Sequence, residues 1–249
     1  MKSALANIDA LILAGGLGTR LAGVIGDIPK VLAPVNGRPF LDYQLEYLAC
    51  EGVSKVVLSL GYRAEVVLAH LAKTKSQIEV ETIVEPRPLG TAGAIAFARP
   101  RLRSDPVLTL NGDTWLDLDL EAMLAEHYAS HEALATISCV AVDDTRRYGG
   151  VKVSADRTVS CFVEKDESFS TPGLVNGGVY MLSARLLNSL PGLGSSLEHD
   201  VLPHLSTGTL YAYLVPEASF LDIGTPESYA RAAAHLAGRN SKTIAEARQ

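Results

Sequence analysis

The chain has no basic block, no paired-cysteine motif and no long apolar run, and each absence removes a class of function. With a formal net charge of -6 over 249 residues, a surface built to hold a nucleic-acid backbone is excluded, and any anionic ligand must be met by local positive groups. Cysteine is scarce: Cys50, Cys139 and Cys161 are odd in number, lack C-x-x-C or metal-like spacing, and sit in apolar contexts. They read as buried thiols in a reducing compartment. No apolar run approaches the roughly 18 residues of a membrane span, and Lys2 alone precedes a short apolar stretch broken by Asp9. Neither an anchor nor a signal peptide is expected, and a cytoplasmic location is.

Catalytic arrangements of side chains are also missing. His127 and His131 stand four apart on an expected helix, but no third ligand lies near in sequence, so a solvated helix face is the reading. No serine or cysteine has a partnered base.

What is present is alternation. Short Val/Ile/Leu-rich runs at Ala10–Ala14, Val56–Leu60, Ile78–Val84, Val107–Leu110 and Ala135–Val142 alternate with amphipathic stretches at Phe40–Cys50, Ala64–Ala72, Thr91–Ala98 and Leu120–Ser130. That pattern predicts βαβ units around a mostly parallel sheet. After Arg146 it changes to short strands: a hairpin turning at Ala155–Arg157, a strand at Gly178–Leu182, a helix from Ser195 with Ser195-Ser196-Leu197-Glu198 as a capping box, and a last helix starting at Thr225-Pro226. The stretch from Gly238 is polar and reads as a loose tail.

The first strand runs into "LILAGGLGTRL", a glycine turn followed by a lone arginine. A dinucleotide fingerprint fails because Leu21 stands where its third glycine belongs, and a P-loop fails because no Gly-Lys-Ser/Thr follows Gly18. There remain backbone N–H groups open to an anion and two cations, Arg20 and Lys30, a short loop apart.

"LAGGLGTRL" followed by "IPKVLAPVNGRPFLDYQLEYL" resembles the signature of the sugar-1-phosphate nucleotidyltransferases. The resemblance continues in order through "EPRPLGTAGA", "LTLNGDT", "RYGGVKV", "FVEK", "VNGGVY", "SLEHDVLP" and "FLDIGTPESY". Short length and the last motif are most similar to the heptose-1-phosphate guanylyltransferase branch. The resemblance implies an α/β fold with a Rossmann-like doubly wound mixed sheet, of the GT-A-like nucleotide-diphospho-sugar transferase type. One domain is expected over 1–240, with a nucleotide-binding half at about 8–145 and a sugar-phosphate half at about 146–237. The chain ends soon after the last expected helix, so no appended repeat domain is expected.

Residue by residue, the resemblance assigns the nucleotide to Leu13, Ala14, Gly15, Gly16, Gly18, Thr19, Gly90 and Thr91, and the triphosphate to Arg20 and Lys30. Asp113 alone would read as a turn or cap. With Asp222 isolated at another strand end, two carboxylates for one Mg2+ are the better reading, and the resemblance gives both positions to the metal. Glu164 and Lys165, otherwise a solvated pair, are implied to meet a sugar hydroxyl and the sugar phosphate. Asn176-Gly177 offers an amide and a close backbone approach, or a plain turn. Gly149 offers a backbone N–H to a hydroxyl, or simply begins the hairpin.

Glu85 departs from the glutamine usual in thymidylyl members. A carboxylate only accepts hydrogen bonds, and guanine presents two adjacent donors where uracil, thymine and cytosine do not, so guanine is its best partner; the alternative is that Glu85 faces solvent and backbone groups near Leu89-Gly90 read the base. The expected reaction is transfer of a nucleotidyl group from an NTP, GTP favoured, to a sugar 1-phosphate, heptose favoured, in nucleotide-sugar biosynthesis for a cell-surface polysaccharide. Uridylyl, thymidylyl or cytidylyl transfer to a hexose or amino-sugar phosphate is an alternative, as is a non-catalytic nucleotide-sugar-binding regulatory subunit. Homodimerisation is left open.

Overall fold

A computed structural model describes residues 3–163, 171–215 and 220–237. Among them the strands are β1 (Asp9–Ala14), β2 (Pro34–Val35), β3 (Arg38–Pro39), β4 (Lys55–Leu60), β5 (Glu79–Val84), β6 (Val107–Asn111), β7 (Thr114–Leu116), β8 (Ala135–Val142), β9 (Gly150–Val153), β10 (Val159–Val163), β11 (Gly173–Leu182), β12 (Leu210–Val215) and β13 (Phe220–Asp222). The helices are α1 (Ala22–Ile25), α2 (Phe40–Cys50), α3 (Ala64–Leu71), α4 (Gly90–Ala98), α5 (Leu120–Ala129), α6 (Ala184–Leu187), α7 (Pro226–Ala230) and α8 (Ala232–His235).

Strands β5, β4, β1 and β6 run parallel in that order. The chain leaves β1 to build β4 and β5 on one side, then returns to place β6 on the other. The switch point therefore falls between β1 and β6, where open α/β sheets bind ligands. Beyond β6 the sheet is mixed: β11 lies antiparallel to β6, β8 antiparallel to β11, and β12 parallel to β8. The β9–β10 hairpin attaches through Leu174 opposite Val151. A two-stranded ribbon, β7 with β13, sets Asp222 opposite Thr114.

The period-2 pattern of β1 explains the two-sided wrapping. Ala10, Ile12 and Ala14 join a core with α2, α3 and α5, whereas Leu11 joins a second core with α4, α6 and Tyr180. Each face of the strand thus buries its own layer. The predicted parallel strands and long helices are observed to within a residue at their ends, and Phe40–Cys50 matches at both ends.

Other expectations are corrected. Strand β11 begins five residues before Gly178, because its pairing with β8 shifts register between Asn176 and Tyr180 and the irregularity absorbs the glycines. The helix expected from Ser195 is a single π-helical turn, Leu197–Val201, capped by Ser196, whose Oγ accepts from the His199 N–H at 3.2 Å. His127 faces the core rather than solvent, its Nδ1 2.9 Å from Thr136 Oγ1, and burial pushes its pKa down. Thr225 does cap the last helical region, reciprocally with Ser228.

Only Cys139 is the buried thiol that composition suggests. Burial pushes it up to about 12, whereas Cys50 and Cys161 are exposed. The thiolate is the reactive form, so an aromatic disulfide reagent should titrate two thiols in the native protein and the third only on unfolding. Three accessible thiols in the native state would contradict this packing.

Candidate active site

All four parallel strands deliver loops to one edge. Gly15 and Gly16 follow β1, Gly61 follows β4, Glu85 follows β5, and Gly112-Asp113 follows β6. Glu85 is seated there by its N–H, which donates to Leu60 O at 2.7 Å. Gly112 must be glycine: a Cβ would lie 2.6 Å from the Leu13 carbonyl oxygen and 2.9 Å from Val31 Cγ1. The tight turn pins the β6 terminus against the β1 terminus and presents Asp113 at the switch point.

Two cavities open at this edge. The smaller, about 350 Å³, is lined by Leu13, Ala14, Gly15, Gly16, Gly18, Lys30, Glu85, Gly90 and Thr91 among others. The larger, about 910 Å³, is lined by Arg20, Arg147, Gly149, Asn176, Tyr180, Glu198 and Asp222 among others. Asn111 and Asp113 line both. A ligand in one cavity can therefore meet a ligand in the other at Asp113.

The charges at this junction are paired crosswise from distant parts of the chain. Lys30 Nζ donates to Asp113 Oδ2 at 2.6 Å, and Arg147 Nη2 donates to Asp222 Oδ2 at 2.6 Å. The ribbon holds the carboxylates together, with Ile223 N–H donating to Asp113 O at 2.9 Å. Gly224 closes the cluster, because a Cβ there would lie 2.6 Å from Asp222 Oδ1, 3.2 Å from Lys30 Nζ and 3.4 Å from Arg147 Nη2. Burial, and next the charge of Asp113, push the Asp222 carboxyl up, opposed by Arg147, the Gly224 N–H and Lys30. A divalent cation would relieve that repulsion. Among the described residues no cluster of three or more His, Cys, Asp or Glu could hold a metal. These two carboxylates suit an ion that takes its other ligands from phosphate and water, as Mg2+ does.

Sequence reasoning missed Arg147. Its guanidinium lies 5.1 Å from the Tyr148 ring centroid, and its Nε is buried with no hydrogen-bond partner among the described residues. Nothing in "RRYGG" separates it from Arg146, which pairs with its neighbour Asp144 on the surface. Gln44 was missed too. Buried in α2, it donates from Nε2 to Asn111 O at 3.0 Å and Thr114 O at 2.9 Å, clamping both ends of the turn that carries Asp113.

Several assigned roles change. Arg20 is exposed and lines the larger cavity rather than the smaller, and Thr19 is exposed and lines neither. Gly149 N–H is already donated to Thr145 O at 2.9 Å, so it closes the turn before β9 rather than offering a donor. Gly177 is buried against Ser138 and Leu116, and Gly178 lines the cavity in its place. The Thr91 hydroxyl donates to Glu198 and accepts from Leu197 N–H. Glu164 and Lys165 lie outside the described residues. Glu85 lines the smaller cavity, where Oε1 accepts from Ser59 Oγ at 2.9 Å and Oε2 from Leu89 N–H at 3.3 Å. Burial pushes its carboxyl up against those two bonds.

Comparison with known proteins decides the family, since the Nucleotidyl transferase profile matches residues 9–239. The chain belongs to the nucleotidyl transferase family. It is 34% identical over 222 residues to D-glycero-alpha-D-manno-heptose 1-phosphate guanylyltransferase of Campylobacter jejuni, covering 89% of this chain and 97% of that one. The enzyme of that name from Aneurinibacillus thermoaerophilus is 34% identical over 231 residues, covering 92% and 98%. The crystal structure of HddC from Yersinia pseudotuberculosis superposes with a TM-score of 0.82 at 38% identity, covering 91% of this chain and 98% of that one. A second HddC structure, complexed with GMP-PN, gives 0.81 at 37%. The fold and the reaction class of this nucleotidyltransferase accord with the sequence motifs.

The Gln44 clamp makes a prediction. Gln44→Leu leaves the Asn111 and Thr114 carbonyls without their buried donor, and each unmet group costs about 1–3 kcal/mol. The urea midpoint should fall by the equivalent of about 2–6 kcal/mol with the slope unchanged, and turnover should fall with it. A variant as stable as the parent would remove Gln44 as the clamp.

Proposed function

We propose that this nucleotidyltransferase moves the guanylyl group of GTP onto heptose 1-phosphate, giving GDP-heptose and pyrophosphate, in the cytoplasm where GTP is supplied. The observation that carries this is the meeting of two cavities at Asp113, in a chain similar along nearly its whole length to two heptose 1-phosphate guanylyltransferases. GTP occupies the smaller cavity and the sugar phosphate the larger, whose volume leaves room for a seven-carbon sugar.

An oxygen of the sugar phosphate attacks the α-phosphorus of GTP in line, forming a new P–O bond as the bond to the bridging oxygen of the β-phosphate breaks. Pyrophosphate leaves with that electron pair. The second pKa of a phosphate monoester is about 6, so the nucleophile is already dianionic at neutral pH and no side chain need take a proton. That agrees with a junction containing two carboxylates and two cations but no histidine. When bound by Asp113 and Asp222, Mg2+ would supply charge neutralisation for the phosphates. Lys30, on the nucleotide side, lies where charge builds on the departing pyrophosphate, and Arg147, on the sugar side, lies where it would orient the incoming phosphate.

Glu85 is our reader of guanine. Each of its oxygens accepts one bond from the protein and retains a lone pair, so the carboxylate is oriented without being saturated.

Three measurements test the reading. Pyrophosphate release should be fastest with GTP and heptose 1-phosphate, and a parent enzyme preferring UTP or dTTP, or mannose 1-phosphate, would overturn the assignment. Replacing Glu85 by Gln should narrow the kcat/KM ratio of GTP over the other NTPs by at least tenfold, and unchanged selectivity would remove Glu85 as the reader. Asp113→Asn should lower kcat by orders of magnitude while the protein stays folded; near-parental kcat at saturating Mg2+ would exclude Asp113 as a metal ligand.

A further inference from the structure

The wall between the two cavities is made of small residues and one carboxylate. Segment 192–198 lies backbone to backbone along the first turns of α4: Gly194 N–H donates to Leu89 O at 2.8 Å and Ala92 N–H to Ser195 O at 2.9 Å. The sequence "GTAGA" permits this approach. A Cβ on Gly90 would collide with the Ser195 carbonyl, and one on Gly93 would lie 3.2 Å from Gly192 O.

Glu198 stands at the end of that seam. Its Oε2 accepts from Thr91 Oγ1 at 2.8 Å and Ser196 Oγ at 3.0 Å, and its Oε1 accepts from the Tyr180 hydroxyl at 3.0 Å. Thr91 lines the nucleotide cavity. The Tyr180 hydroxyl, on a fully buried ring, accepts in turn from Asn176 Nδ2 at 3.0 Å, and Asn176 Oδ1 accepts from Gly178 N–H at 3.0 Å. Asn176, Gly178 and Tyr180 line the other cavity. Among the described residues Glu198 has no ion pair; neutral hydroxyls on two different elements hold it.

We propose that Glu198 is a positioning residue that couples the two substrate subsites, so that filling the nucleotide cavity fixes Asn176 and Tyr180 for the sugar phosphate, and the reverse. The proposal rests on the assignment of nucleotide and sugar phosphate to the two cavities given above. Both carboxylate oxygens must accept, one toward Thr91 and one toward Tyr180. An alanine removes both acceptors and so breaks the chain, whereas a glutamine can be re-satisfied by rotation of the hydroxyls. Networks of this kind carry coupling that single contacts do not.

The test is a binding cycle without turnover. The dissociation constant of heptose 1-phosphate is measured by calorimetry with and without saturating α,β-methylene-GTP, which cannot be cleaved. In the parent, the nucleotide should tighten the sugar phosphate by about fivefold or more, the lower end of ordinary coupling, and the sugar phosphate should tighten the nucleotide by the same factor. In Glu198→Ala both factors should fall to within about 1.5-fold of unity while each ligand still binds alone. Tyr180→Phe, which deletes one hydroxyl and leaves the ring in the core, should do the same and serves if Glu198→Ala does not fold. Retention of the parental factor in either folded variant, or its absence in the parent, overturns the proposal. A parent that binds neither probe overturns the substrate assignment, and the coupling with it.

Discussion

Asp113 and Asp222 repel one another, and the site depends on their being held together nonetheless. The β7–β13 ribbon supplies the backbone constraint, pairing Asp222 with Thr114 and the Ile223 N–H with the Asp113 carbonyl in a hydrogen-bonded register. Lys30 and Arg147 supply the electrostatic one, a cation for each carboxylate. Like charges at close range raise a pKa and opposite charges lower it. For Asp222 burial and Asp113 outweigh Arg147, so its charged form still lacks part of its compensation. Mg2+, the metal we propose, would fill that deficit when bound by the two carboxylates.

Everything else in the fold places that junction. The parallel strands end in loops on one edge, the chain reversal between β1 and β6 opens a crevice there, and the antiparallel extension through β11 builds a second cavity on its far side. Gln44 fixes the Asp113 turn from beneath, and segment 192–198 fixes the α4 terminus from the side. The two cavities thus have separate walls and a shared floor.

Much of this was legible in the sequence, because strand periodicity and glycine turns are local signals. The β1 glycine loop and the Thr225 cap each depend on neighbours a few residues away, and the Asn111-Gly112 pair marks its turn even though the contacts that require glycine there come from Leu13 and Val31. Arg147, Gln44 and Glu198 were not legible as site residues. Their partners lie 75, 67 or 70, and 107 or 18 residues off, and their own surroundings resemble ordinary helix or surface sequence. The expectation falls on Gly177 where the structure presents Gly178, because the register shift in β11 decides which glycine faces the cavity, and such shifts leave no mark in a Gly-Gly pair. Thr91 lines the smaller cavity, and its hydroxyl also serves the wall.

The central claim is direct transfer between two cavities that share Asp113, with no protein nucleophile in between. The measurement that addresses it is the stereochemical course at the α-phosphorus, using the Sp diastereomer of guanosine 5′-O-(1-thiotriphosphate) and the sugar 1-phosphate. A single in-line displacement predicts inversion of configuration in the product. Retention would require two displacements through a guanylylated side chain and would contradict the account.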